Sequence, residues 1–219
     1  MVGERSESIE EYLEALFKLG QGGVPATVGR LAAELAVTPA SVSQMLGRLR
    51  ETGLVQRDRD GAITLTAGGL HEGARLVRRH RLSERFLADV LQLPWDQVHG
   101  EACKMEHAIS SEVEARLAHH LGDPLTCPHG HAIPSEDGVL EEQPARPLAD
   151  LRAGDHGVIA RISDEQPDLL RYLASLGLMP AVCVEVESVA PFGGPQLVRV
   201  GGSQYALGRE VAAKVLVRG

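Results

Sequence analysis

The segment 27–50 constrains the fold of this 219-residue chain more than any other, because it carries two short helices with a tight break between them. Thr27 can cap a first helix, whose apolar residues recur at helical spacing over 28–35. After the break, Thr38-Pro39 provides a capping residue followed by proline at the first helical position. A second helix then covers 41–50. This pattern predicts a helix-turn-helix motif.

The second helix carries side chains suited to reading DNA. Small hydroxyls and an amide lie near its N-terminus, arginines follow, and the first acidic residue is Glu51. Such groups contact base edges and phosphates from the major groove. Two adjacent helices could also be a simple packing hairpin, but 53–65 has the pattern of a β-hairpin turning at Asp60-Gly61, which favours a winged helix. The predicted DNA-contacting residues are Thr38, Pro39, Ser41, Ser43, Gln44, Arg48, Arg57 and Arg59.

A second informative segment lies at 98–107, where four metal-capable side chains recur. They are His99, Cys103, Glu106 and His107. On a continuous helix, at roughly 100° per residue, they fall on one arc of about 100°. Imidazole, carboxylate and thiolate together suit Mn, Fe, Co or Zn better than Ca or Mg. The alternative is an ordinary amphipathic helix whose polar residues face water, with Cys103 as a small core residue.

Two further pairs could bind a metal or simply face solvent. Glu11 and Glu14 lie three residues apart on the first predicted helix, where two carboxylates repel unless a cation or water screens them. Glu11 also has capping-box spacing after Ser8, so it could instead bond the N-cap amide. His80 and Glu84 stand four apart on one helical face, within a run of arginines.

The sequence pattern predicts four segments and a fold class that is mainly α with a small β domain. Helical periodicity dominates the middle of the chain with a break at Pro94, a proline-rich stretch follows, and short strands with glycine turns end the sequence. The expected domains are a winged helix-turn-helix at 1–66, a helical metal-binding and dimerisation domain at 67–121, a linker at 122–147 and a small SH3-like β-barrel at 148–219.

Composition and the remaining motifs exclude several classes of protein. A net charge of −8 argues against coating nucleic acid by bulk electrostatics, although local basic patches can still act. No apolar run reaches the roughly eighteen residues of a membrane span, and the N-terminus has no secretory apolar region. The three cysteines are odd in number, widely spaced and form no C-x-x-C pair, which fits a reducing compartment. Together, these observations predict a cytoplasmic protein without a membrane partner. The loop 127–131 matches no standard zinc spacing, so a loop contact is expected there.

Together, these features resemble the diphtheria-toxin-repressor and manganese-transport-regulator family of metal-dependent transcriptional repressors. The resemblance covers essentially the whole chain. It rests on residues 41–44 of the second helix, on 79–85, on 98–107 and on the loop 128–134. The segments 176–180 and 191–195 resemble the SH3-like domain shared with ferrous-iron transport accessory proteins.

By position, this resemblance implies two metal sites. The first would contain Glu11, Cys103, Glu106 and His107, and Glu14 matches a further acidic ligand of manganese sensors. The second would contain His80, Glu84 and His99, completed from the SH3-like domain by Asp164 or Gln166. Iron-sensing members carry methionine at the position of Glu11, whereas manganese sensors carry an acidic residue at that of Cys103. In this hybrid set the carboxylates outnumber the thiolate, which predicts Mn(II), with Fe(II) as the alternative.

The expected function is that of a repressor whose divalent metal acts as corepressor. A homodimer would bind palindromic operators of metal-uptake genes, each subunit placing one recognition helix. Within the family, an iron-responsive regulator is the alternative. A metal-dependent or thiol hydrolase could use Cys103 with Glu106 and His107, but no H-E-x-x-H, G-x-S-x-G or phosphate-loop motif is present. Because these motifs are missing and an enzyme would not need a winged helix, no enzymatic activity is expected. A metal chaperone or transport accessory is a third possibility, suggested only by the C-terminal domain.

Overall fold

The computed structural model describes residues 7–23, 25–58 and 61–219, and the chain forms two compact units. The first comprises Met1–His80, Met105–Ile109 and Pro134–Leu140. The second comprises Arg81–Lys104, Ser110–Ile133 and Glu141–Gly219. No helix in the described part of the chain is long and apolar enough to cross a membrane.

The first unit begins with three helices and a two-stranded antiparallel hairpin. These elements are α1 (Glu7–Gln21), α2 (Val28–Glu34), α3 (Pro39–Glu51), β1 (Val55–Arg57) and β2 (Ile63–Leu65). Both predicted caps are confirmed, because the Thr27 side chain accepts a hydrogen bond from the Arg30 amide and Thr38 accepts one from the Ser41 amide. The predicted turn residue Asp60 lies outside the described residues.

Helix α1 supplies a large part of the apolar core of this unit. Its residues Tyr12, Leu13 and Leu16 are buried among apolar side chains of α2, α3 and the hairpin. Spacings of three and four residues place them on one face, as the sequence predicts. The expected capping box is wrong, since Ser8 is the second residue of α1 and lies inside the helix.

Three helices follow, and one differs from expectation. They are α4 (Ala67–Asp89), α5 (Val98–Met105) and α6 (Ser111–His120). The break predicted at Pro94 is confirmed, because Pro94 lies between α4 and α5. The continuous helix expected over 98–107 is wrong at its end, where Glu106–Ala108 forms a 3-10 turn. A 3-10 turn winds by about 120° per residue rather than about 100°, so His107 moves by about 40° from its predicted angle.

The second unit ends in a six-stranded antiparallel β domain. Its strands are β3 (Arg146–Pro147), β4 (His156–Ile162), β5 (Cys183–Val189), β6 (Gln196–Val200), β7 (Ser203–Leu207) and β8 (Val215–Arg218), in the order β3-β8-β4-β5-β6-β7. Helices α7 (Pro167–Ser175) and α8 (Arg209–Ala212) connect them. Side chains alternate along each strand, and those that point inward form one apolar core with Leu170 and Leu173 of α7. The sequence pattern predicts strands at 157–162, 182–189, 196–200 and 213–217, so β3 and β7 are additional to the predicted strands.

Close packing at the start of α4 gives a stability prediction. A Cβ atom on Gly69 would lie 2.0 Å from the Leu54 carbonyl oxygen, whereas one on Gly68 would have the Thr66 hydroxyl at 3.8 Å as its nearest neighbour. Gly69→Ala should therefore lower the free energy of unfolding by about 1–3 kcal/mol through overpacking. Gly68→Ala, the matched control in the same helical turn, should change it by no more than about 1 kcal/mol, toward greater stability. Chemical denaturation measures both, and equal effects would contradict the close approach at Gly69.

Candidate metal centres and the DNA-binding helix

Three buried side chains in the first unit form what we call the Glu14 cluster: Glu14, His80 and Glu106. One donor atom from each lies within 4.8 Å of the others. His80 Nδ1 lies 2.5 Å from Glu106 Oε2. Glu14 comes from the apolar-rich helix α1, His80 from α4 and Glu106 from the 3-10 turn. Three separate elements of the unit therefore meet at these polar groups.

The electrostatics of the Glu14 cluster fit a cation. Burial, together with the negative charge of Glu14, raises the pKa of Glu106 to about 7. Burial alone would also raise the pKa of Glu14, but the positive charges of Lys18 and then His80 hold it at about 2. Lys18 Nζ lies 2.8 Å from the buried Glu14 Oε1. Two carboxylates and an imidazole match the donors that Mn(II) and Fe(II) accept.

His107 extends this cluster. Its Nε2 lies 3.5 Å from Glu106 Oε1, and its Nδ1 lies 2.7 Å from Glu10 Oε2. Burial would lower the pKa of His107, but the hydrogen bond to Glu10 and the charge of Glu106 raise it. Glu10 and Glu14 are one helical turn apart on α1, so both face the same side of the unit.

A second group, the Glu84 cluster, lies wholly in the second unit. Its members are Glu84, Cys127, His129 and Glu165, with donor atoms within 4.8 Å of one another. His129 Nδ1 lies 3.3 Å from Glu84 Oε1 and 3.6 Å from Glu165 Oε1. His99 Nδ1 is also near, 2.7 Å from Glu165 Oε2 and 3.3 Å from Glu84 Oε1. The residues come from α4, the loop after α6, α5 and the turn before α7.

Negative charge dominates the Glu84 cluster. Burial, followed by the charges of Glu84 and Glu165, raises the pKa of the Cys127 thiol well above its usual value. Burial would lower the pKa of His129, but the neighbouring Glu84 and then Glu165 raise it. The His129 Nδ1 atom is buried and has no hydrogen bond, although two carboxylates face it. A metal that displaces the thiol proton and accepts this lone pair fits the donor set.

The exposed face of α3 carries the predicted DNA contacts. Val42 and Leu49 hold the helix in the core, while Ser43, Gln44 and Arg48 point outward. In the hairpin, Arg57 is exposed, and its Nε donates to the Gly61 carbonyl at 3.1 Å. The other predicted contacts, Thr38, Pro39 and Ser41, are exposed at the start of α3, and Arg59 lies outside the described residues.

Family models match three consecutive parts of the chain. They are described as the iron dependent repressor N-terminal DNA binding domain (4–63), the iron dependent repressor metal binding and dimerisation domain (66–135) and the FeoA domain (146–219). The iron-dependent repressor IdeR of Mycobacterium tuberculosis is 36% identical over 228 residues, covering 99% of each chain. The chain belongs to the family of metal-dependent transcriptional repressors, which also contains the diphtheria toxin repressor. The resemblance seen in the sequence is thus confirmed.

Solved structures of this repressor family match the fold closely. A manganese-dependent transcriptional repressor in complex with manganese is 37% identical, with a TM-score of 0.89, and the match covers 95% of this chain and 98% of that one. ScaR with bound Cd²⁺ is 30% identical, with a TM-score of 0.82, over 96% and 98% of the two chains. The predicted fold class, a helical DNA-binding and dimerisation part followed by an SH3-like β domain, is confirmed. No finding favours the hydrolase alternative.

In the structure of this repressor, most of the predicted metal-binding residues lie in or beside the two clusters, but not all of them do. Glu11 is exposed on α1, and Cys103 is exposed on α5 with its Sγ 3.8 Å from His99 Nε2. Asp164 forms an ion pair with Lys214 and accepts from the Gln166 amide. Within the described part of the chain, neither cluster includes Glu11, Asp164 or Gln166.

Sequence reasoning missed four residues: Glu10, Cys127, His129 and Glu165. The resemblance suggested Asp164 and Gln166 in the SH3-like domain. The residue that lies in the cluster is Glu165, one position away from each. The loop with Cys127 and His129 was set aside because it lacks a standard zinc spacing. In the structure, its cysteine and histidine lie beside Glu84 and Glu165, which come from distant parts of the chain. For Glu10, the four-residue spacing to Glu14 was an available signal.

The Glu14 cluster predicts a difference between two neighbouring glutamates. Glu14→Gln removes a buried carboxylate from the cluster and should weaken Mn(II) binding by about tenfold or more, equivalent to about 1.4 kcal/mol. Glu11→Gln, a matched control on the exposed side of α1, should leave the affinity unchanged. Free Mn(II) measured by electron paramagnetic resonance gives both values. An equal loss in the two variants would make Glu11 a ligand.

The exposed face of α3 predicts how the repressor reads DNA. Gln44→Ala should cost about 1–3 kcal/mol on the cognate operator if the amide reads a base edge, with little change on unrelated DNA. Arg57→Ala in the hairpin should weaken binding to all sequences, as expected for loss of a phosphate contact. The slope of the logarithm of affinity against the logarithm of salt concentration should fall by about 1. Fluorescence anisotropy over a salt series measures both effects. Unaltered operator discrimination by Gln44→Ala would contradict the assignment of α3.

Proposed function

We propose that this repressor responds to Mn(II), and that the metal acts through the Glu14 cluster as corepressor. The observation that carries the proposal is the donor set: two buried carboxylates and one imidazole, with His107 and Glu10 beside them and no sulfur atom in the group. Hard oxygen donors favour Mn(II) over softer ions. The Cys103 thiol, which favoured iron in the sequence, is exposed beside His99. The resemblance to a manganese-dependent repressor supports the same choice.

The positions of the ligands suggest how metal and DNA binding are coupled. When bound, a divalent cation neutralises the two carboxylates. Glu14 belongs to α1, which packs against α2 and α3, whereas His80 and Glu106 belong to α4 and the following 3-10 turn. These side chains would hold α1, and with it the recognition helix, in one position within the first unit. A hundredfold gain in operator affinity corresponds to about 2.7 kcal/mol of coupling free energy. Because coupling is reciprocal, bound DNA should raise the metal affinity by the same factor.

We assign the Glu84 cluster as a second metal site, and we propose that the repressor works as a homodimer. The family match over 66–135 is described as a metal binding and dimerisation domain. Two subunits related by a twofold axis present two α3 helices, which fits palindromic operators of metal-uptake genes. A DNA partner supports a cytoplasmic location.

An iron-responsive repressor is the second candidate. Two observations favour it: the buried Cys127 thiol of the Glu84 cluster, and the identity of 36% to the iron-dependent repressor IdeR. Thiolate donors shift a site toward Fe(II) and other softer ions. The two candidates differ in which cluster governs DNA binding.

Anaerobic operator binding separates the two candidates. Wild-type protein is titrated with Mn(II) or Fe(II) at buffered free concentrations, using a labelled duplex selected from a random pool, and anisotropy is recorded. Mn(II) should activate binding in the wild type and in Cys127→Ser, while Glu14→Gln should respond weakly. Thermal unfolding of the metal-free variants controls for folding. Activation of the wild type by Fe(II) but not by Mn(II), lost in Cys127→Ser, would establish the iron-responsive alternative.

A further inference from the structure

Trp95 lies against the loop that carries Cys127 and His129. It follows Pro94 in the connection between α4 and α5, and its half-buried ring packs against the apolar core of the β domain. It is the only tryptophan in the sequence. All the contacts described below lie within the second unit.

Three contacts join Trp95 to this loop. The Trp95 carbonyl oxygen accepts a hydrogen bond from His129 Nε2 at 3.0 Å. The Trp95 indole Nε1–H donates to the Pro128 carbonyl oxygen at 3.1 Å. The indole and imidazole rings also lie side by side, with centroids 5.3 Å apart and planes inclined by 43°. One residue therefore holds both the backbone before His129 and the imidazole itself.

These contacts fix which nitrogen of His129 faces the Glu84 cluster. A carbonyl oxygen can only accept, so His129 Nε2 must carry the proton. The lone pair of the neutral ring is then on Nδ1, which is buried, lacks a hydrogen bond, and lies 3.3 Å and 3.6 Å from oxygens of Glu84 and Glu165. Histidines that bind metals commonly donate their other ring N–H to a carbonyl group, which fixes the tautomer and the ring orientation.

We propose that Trp95 is a positioning residue for the Glu84 cluster: its carbonyl sets the His129 tautomer, and its indole N–H holds the loop so that Nδ1 points at the two carboxylates. Trp95 touches no metal itself and acts only through His129 and Pro128. The inference rests on the proposed metal-binding role of this cluster. It also makes Trp95 an optical reporter, since its ring adjoins the imidazole that would bind the ion.

The first test needs no substitution. Full-length protein labelled with ¹⁵N-histidine is loaded with ¹¹³Cd²⁺ as a diamagnetic probe, and long-range nitrogen spectra are recorded. For His129, assigned by comparison with His129→Gln, the ¹¹³Cd–¹⁵N coupling should appear on Nδ1 while Nε2 keeps its proton. Coupling through Nε2 would overturn the proposal, because the Trp95 carbonyl would then not orient the ring.

The second test removes one contact. Trp95→Phe keeps the aromatic ring and the backbone carbonyl but loses the bond to Pro128, and should lower Cd²⁺ affinity at the Glu84 cluster by about tenfold. Tyr205→Phe is the matched control, because it removes one polar group from another aromatic residue packed on the same core. Metal competition with a chelating dye gives the affinities. An affinity of Trp95→Phe equal to that of Tyr205→Phe would overturn the role of the indole N–H.

A third variant separates failure of this inference from failure of the metal site. Co²⁺ should quench the Trp95 fluorescence of the wild type and of Tyr205→Phe, but not that of His129→Gln. If His129→Gln binds metal and is quenched like the wild type, His129 is not a ligand and the positioning role of Trp95 is overturned. If the wild type itself shows no quenching, the Glu84 cluster is not a metal site and the proposed function loses its second centre. If His129→Gln loses binding while Trp95→Phe does not, only the positioning role is wrong.

Discussion

Burial of carboxylates close to one another is the constraint on which both candidate centres depend. Glu14 and Glu106 lie buried around His80, and Glu84 and Glu165 face His129. Removing one ionised carboxylate from water costs several kcal/mol, and a second one nearby adds repulsion. Such groups either take up a proton, in line with the raised pKa of Glu106, or stay ionised beside compensating positive charge. Imidazoles and one lysine supply part of that charge, and a divalent cation supplies the rest in the proposed function.

The helical, DNA-binding part of the fold could be predicted because its signals are local. Thr27 and Thr38 cap their helices through bonds to residues three positions away, so the sequence alone contains both partners. The apolar face of α1 is equally local. The α-helix was predicted to continue through His107 because nothing in the pattern marks the change to a 3-10 turn after Met105. Such a turn depends on what the side chains meet in three dimensions.

The Glu84 cluster could not be predicted, because its loop is shaped by a distant strand. The Ile162 amide donates to the His129 carbonyl oxygen at 3.0 Å, and His131 Nε2 donates to the Ile162 carbonyl at 2.9 Å. Gly130 has a φ of +92°, and a Cβ there would lie 2.1 Å from the Ala160 carbonyl oxygen. This close approach to β4 requires glycine. A search for zinc spacings looks for ligands near one another in sequence, whereas the residues of the Glu84 cluster come from separate segments.

The two clusters differ in the elements that they join, and this difference bears on metal selectivity. Most sites of this kind bind Zn(II) or Cu(II) more tightly than Mn(II) or Fe(II), so affinity alone cannot choose the corepressor. The Glu14 cluster includes a residue of α1 and therefore acts on the helix that supports α3. The Glu84 cluster joins α4 to the loop and the β domain within the second unit, and Cys127 makes it the softer site. An ion held only there would stabilise the second unit without holding α1. Under the proposed function, selectivity follows from which ion completes the oxygen-rich cluster.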